Sequence, residues 1–197
     1  MHPYATDSHE RTNVIMGLAI LSVALAWLLN RLLEMLQIVP SWWINAPSAL
    51  GFFGLLYKLF DKHLWSWSLL RKIGIVRVPD LSGQWEVEGK TSFDKSSFTG
   101  YALIKQTWTT ISIIFETDLS ISKSLTASLL VEQPEGVTLS YEYRNDPKPN
   151  ASPTMHSHRG TTVLRLKDAS IMEGEYYTGR DRQNYGSLEL RRIQGAC

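Results

Sequence analysis

The chain of 197 residues contains a single cysteine, Cys197. A disulfide framework within one chain is thereby excluded, and a reducing compartment is the simpler reading. Net charge is equally sparse, at +1. That excludes the broad basic field through which proteins hold a DNA or RNA duplex. Catalytic signatures are missing too: there is no P-loop, no GxSxG and no HExxH. His156 and His158 stand two apart without a third ligand, so neither a metal site nor a cofactor is expected. Glu86 with Glu88, and Glu173 with Glu175, alternate in a way that puts them on the solvated face of strands. No catalytic residue is assigned, and a binding module is favoured over an enzyme.

The longest gap in charge is the most informative. Between Glu34 and Lys58 no residue is ionisable to a charged form at neutral pH. A globular surface rarely tolerates that, which disfavours a soluble helical hairpin. "VIMGLAILSVALAWLL" (14–29), extended by "NRLLEMLQIV", reaches the roughly 20 residues that a bilayer core demands. "PSWW" follows as a turn with two tryptophans suited to the headgroup level. A second apolar stretch, "INAPSALGFFGLLYKLF" (44–60), then begins. No basic region precedes the first stretch, which disfavours a cleaved signal. Residues 1–12 thus read as a tail and 13–60 as a membrane hairpin of two transmembrane helices. Lys58, Lys62, Arg71, Lys72 and Arg77 follow the second stretch, whereas 37–43 has no basic residue. The asymmetry places both termini on the cytoplasmic side. Residues 61–79 form a basic, amphipathic connector, readable as an interfacial helix on membrane lipid or as a plain linker.

From residue 80 a period of two replaces the helical one. "GQWEVEG", 100–108, 110–117, 124–132, 136–145, 160–167, 171–180 and 185–193 are eight strand candidates. Residues 80–197 are therefore expected to form an all-β domain. An eight-stranded up-and-down β-barrel is favoured, with a sandwich as the alternative. Alternation points Trp85, Ile104, Phe115, Leu125, Leu129 and Leu188 inward, with Ser124 outward. Gln106, Tyr141, Tyr143, Asn145, Tyr176, Thr178 and Arg180 also fall on inward faces. Tyrosine rings plus an arginine suit a flat, anionic ligand. Core tyrosines beside a rim arginine would give the same pattern. The longest connection, 145–160, has three prolines and would carry His158 and Arg159 over the mouth.

Two apolar stretches followed by "DLSGQW", "IKQTWTTISIIFETDLSISKS", "YEYRNDP", "HSHRGTTVLRL" and "EGEYYTGRDRQNYGSLELRR" form an ordered set. The set resembles the two-transmembrane, β-strand-rich effectors of CBASS, the anti-phage systems built on cGAS/DncV-like nucleotidyltransferases (CD-NTases). The resemblance implies a minimal lipocalin-like barrel that receives a cyclic dinucleotide made by the partner CD-NTase. It further implies self-association into a homo-oligomer, disruption of the bacterial inner membrane, and death of the infected cell. Joined to that ligand type, the inward faces and the long loop nominate Tyr141, Tyr143, Arg144, Asn145, His158, Arg159, Tyr176, Arg180 and Arg182 as ligand contacts. Trp85, Gln106 and Trp108 are expected to close one end. A binder of an apolar small molecule and a purely structural tether are the alternatives.

Overall fold

A computed structural model describes residues 1–37, 42–151, 154–180 and 183–193, with residues 42–47 as backbone alone. The chain divides into two compact units, His9–Arg77 and a second made of Met1–Ser8 with Val78–Cys197.

The first unit is helical. Helix α1 spans Glu10–Met35 and α2 spans Trp42–Lys62. A short 3-10 turn, Leu64–Ser66, and a one-turn helix α3, Ser68–Lys72, complete it. Among the described helices α1 is long and apolar enough to cross a membrane. Its Val14, Leu18, Ser22 and Ala26 recur every four residues and make one buried stripe. The rest of its surface is also apolar, with Met16, Ile20, Val23 and Trp27 exposed. A helix apolar on all sides has no polar face to offer water, and a bilayer is its natural solvent. Gln37, in the left-handed region at φ 60°, stops α1. Gly74 does the same for α3 at φ 75°. Glu10 is buried, and its carboxylate accepts the Arg77 N–H at 2.5 Å.

Among the described residues the second unit is a closed barrel of nine strands. They are β1 (His2–Ala5), β2 (Gly83–Thr91), β3 (Ser97–Gln106), β4 (Thr110–Thr117), β5 (Ser120–Leu130), β6 (Thr138–Pro147), β7 (His158–Asp168), β8 (Ile171–Thr178) and β9 (Tyr185–Arg192). Around the barrel the order is β1-β4-β3-β2-β9-β8-β7-β6-β5, with β4 and β5 also paired directly. Strands β2 to β9 form an antiparallel meander whose last strand returns to the first. The connections β2–β3, β4–β5, β6–β7 and β8–β9 gather at one end, the mouth. The others gather at the opposite, closed end, where β1 leaves the barrel and β2 enters it.

Eight strands were expected, and the ninth comes from the segment read as an N-terminal tail. The physical reason is a wedge between β4 and β5. These two strands pair only beside their turn, from Ile114 opposite Lys123 to Glu116 opposite Ile121. A bulge between Ser124 and Thr126 then turns β5 away. Strand β1 fills the opening. It runs antiparallel to β4, with His2 opposite Ile111, and parallel to β5, with Tyr4 opposite Ala127. Tyr4 is buried and its hydroxyl donates to the Trp108 carbonyl at 2.7 Å. Asp7 accepts the N–H groups of Val131 and Glu132 at 2.7 and 3.1 Å. Burial pushes the Asp7 carboxyl up, but these donors outweigh it and its pKa falls below the ordinary carboxylate value.

The same bulge overturns two expected facings, turning Ser124 to the inner face as the register partner of Tyr143 and Leu125 to the outer one. Leu125 points outward and is 37% exposed. Ser120 and Ser122 are instead buried on the inner face. An extra residue in a strand shifts the parity of everything beyond it, and strict alternation cannot anticipate that.

Candidate functional site

The closed end is packed solid. Trp85, Trp108 and Leu81 are all but inaccessible to solvent. The Trp85 indole N–H donates to the Leu81 carbonyl at 3.0 Å. Gln106 brackets the incoming chain, accepting the Leu81 N–H at 2.9 Å and donating to the Pro79 carbonyl at 3.1 Å. The Arg192 guanidinium lies 4.7 Å from the centre of the Trp85 ring and donates to the Asp80 carbonyl at 2.6 Å. The structure thus brings Trp85, Gln106 and Trp108 together at this end.

The mouth half of the lumen has two unlike walls. One is aromatic. Phe98 stands 6.4 Å from Phe115 and 6.1 Å from Tyr176, edge-on to the latter. Each ring lies across an inward glycine: Phe98 over Gly89, Phe115 over Gly100 and Tyr176 over Gly186. A Cβ at any of these glycines would collide with the ring. Glycine is the residue that lets a ring lie flat against strand backbone.

The facing wall is polar. Register sets Ser122, Asn145 and His158 side by side on the inner faces of β5, β6 and β7. Behind them sit Ser124, Tyr143 and Gly160, and Tyr141 with Thr162. Asn145 is 8% exposed. Its Nδ2 donates to Ser120 Oγ at 2.9 Å and to Ser122 Oγ at 2.8 Å. Its Oδ1 is buried and has no hydrogen-bond partner among the described residues. A buried carboxamide oxygen in this position can accept an N–H or O–H from a ligand or a water in the lumen. Burial pushes the Tyr141 phenol up to about 12, slightly opposed by its hydrogen bond with Thr162. Tyr141 therefore stays neutral at physiological pH.

Of the nominated contacts, Tyr141, Tyr143, Asn145, His158 and Tyr176 are gathered on the inner face. Arg144 and Arg159 are not. Each is one residue from an inward side chain, and so each points out. Arg144 bonds Asp146 at 2.9 Å, and Arg159 lies 3.5 Å from Glu142. The Ser157 hydroxyl and then Arg144 hold the Asp146 carboxyl below its usual pKa. Arg180 is exposed in the turn after β8, at the rim rather than inside. Arg182 lies outside the described residues. Sequence reasoning missed Ser120, Ser122, Thr162 and Phe98. Glycines recurring at inward positions 89, 100, 160 and 186 were the legible signal for rings lying across them.

Two family profiles match this chain. One, described as "Cap15, TM helices", covers residues 12–66. The other, "Cap15, cyclic dinucleotide receptor domain", covers residues 76–192, which is the barrel from just before β2 to the end of β9. The chain belongs to the Cap15 family. Cap15 is a CBASS defence effector with a cyclic dinucleotide receptor domain and a transmembrane region. A relative in Yersinia aleksiciae, named CD-NTase-associated protein 15, is 37% identical over 175 residues, covering 88% of this chain and 82% of that protein. One of the same name in Staphylococcus schleiferi is 28% identical over 136 residues, covering 68% and 71%. A redesigned β-barrel overlaps at a TM-score of 0.42 with 13% identity, over 58% of this chain and 92% of its own. The Cap15 profiles meet near the boundary at which the two compact units divide.

Proposed function

We propose that the mouth half of the lumen binds a cyclic dinucleotide made by a partner CD-NTase. The observation that carries this reading is the pairing of an aromatic wall with a polar wall that leaves Asn145 Oδ1 unmet. Base faces stack on rings, at roughly 1–3 kcal/mol per base. A base edge carrying an N–H supplies the donor that Asn145 lacks. The mouth half of the lumen holds no inward lysine or arginine among the described residues. Phosphate contact therefore falls to the rim, where Arg180 stands, with Arg182 two positions further along the same connection. Occupancy drives self-association, and the helical unit, crossing the inner membrane twice with both termini cytoplasmic, disrupts it and kills the infected cell. The apolar-ligand alternative fits less well, because Asn145, Ser120 and Ser122 would bury against hydrocarbon without new partners.

Calorimetric titration of the full chain in detergent with 3′,5′-linked cyclic dinucleotides and with a fatty acid tests this. Binding of a dinucleotide is expected, weakened about tenfold or more by Asn145→Leu. Fatty-acid binding without any dinucleotide binding would replace this reading by the apolar one.

A further inference from the structure

The lumen and the N-terminal strand meet at one hydroxyl. Ser120, Ser122 and Ser124 alternate along β5. The first two hold Asn145. Ser124 is the register partner of Tyr143 and sits where the bulge begins. Its Oγ accepts the Ile113 N–H of β4 at 2.9 Å and lies 2.8 Å from His2 Nε2 of β1. With that acceptor site filled, the Ser124 hydroxyl hydrogen is available to the imidazole. One side chain thus ties β4, β5 and β1 together at the apex of the wedge.

Strand β1 is the shortest of the nine strands among the described residues. It has four residues, against eight to eleven in the others. Two register pairs hold it on each side. Beyond Ala5 the chain passes through Asp7, clamped to the end of β5, and enters α1 at Glu10. Release of β1 together with this Asp7 clamp is covalently passed to the first residues of the apolar helix.

We infer that Ser124 and His2 are positioning residues that carry lumen occupancy to β1, and that β1, seated or unseated in the β4–β5 wedge, is the element through which the barrel acts on α1. This rests on the lumen being the ligand site. The two states are β1 seated and β1 released. A ligand moves their balance only by favouring one of them, and here it favours release. A group that engages Asn145 and displaces Tyr143 acts on Ser122, which Asn145 holds, and on β5 at Ser124, the register partner of Tyr143, where the bulge can absorb the shift.

Linkage makes this testable with a reversible lock. Ala5 and Ser128 are register partners in neighbouring strands, and the usual inter-strand spacing of roughly 5 Å lies within the Cα range of a disulfide. The full chain carrying Ala5→Cys, Ser128→Cys and Cys197→Ser is placed in dye-loaded phospholipid vesicles. The probe is the tightest-binding member of the 3′,5′ cyclic dinucleotide panel. The oxidised protein should still bind, up to about tenfold more weakly because the lock opposes release. Its dye release should fall at least about tenfold, and a reductant should restore it. Binding with undiminished dye release from the oxidised protein would overturn the role of β1 alone. Failure of the wild-type chain to bind any dinucleotide would instead overturn the ligand reading and take this one with it. In a second arm, Ser124→Ala should shift the dinucleotide dependence of dye release several-fold toward lower concentration, and Ser124→Thr should return it. A curve unmoved by Ser124→Ala overturns the assignment, since a merely structural serine changes stability and not the threshold.

Discussion

At the closed end of the barrel Trp85, Trp108 and Leu81 are wholly buried, and Gln106 meets two backbone groups at once. At the mouth, rings lie flat on glycines and the Asn145 carboxamide is held by two serine hydroxyls. The same sheet runs through both ends, so the difference is one of side chains and not of backbone. The closed end contributes stability. The mouth is where the proposed ligand site lies, and its rings and polar groups are the ones that reading puts to use.

Three substitutions test that division, in falling order of effect. Trp85→Ala empties the plug and removes the ring beneath Arg192. It should cost about 3–5 kcal/mol, read by chemical denaturation of the full chain in detergent. Gly160→Ala drives a methyl into the Tyr143 ring at the mouth. It should cost about 1–3 kcal/mol and also weaken dinucleotide binding, because Tyr143 must move. An equal loss of stability with unchanged binding would mean that the Tyr143 side of the lumen is not the site. Arg144→Ala with Arg159→Ala should change stability by no more than ~0.5 kcal/mol per site and leave binding within about twofold, since both ion pairs are exposed on the outer face. A large loss of binding would relocate the site to the outside of the barrel.

Much of this was legible in the alternation of residues. Trp85 and Val87, Ala102 and Ile104, Ile111 and Ile113, and Tyr141 through Asn145 all point as a period of two requires. The polar wall was only half legible. Tyr141, Tyr143 and Asn145 stood out as polar groups at inward positions. Ser120 and Ser122 did not, because serine on a strand reads as solvated and the bulge beyond them hid the parity of β5. The arginines misled for a related reason: chemistry nominated Arg144 and Arg159 for phosphate, while parity put both outside. Strand β1 was illegible in principle. Four residues carrying a proline have no period, and their place is dictated by a wedge that exists only once β4 and β5 have folded.

That wedge also sets a timetable. Strand β1 is synthesised before α1, yet its parallel partners, Ala127 and Ser128, follow more than a hundred residues later. At ~5–20 residues per second the wait lasts on the order of ten seconds. Helices α1 and α2 leave the ribosome within it. The barrel therefore cannot close on β1 until both helices have already left the ribosome, so the apolar unit is free to find its own surroundings before the sheet is complete.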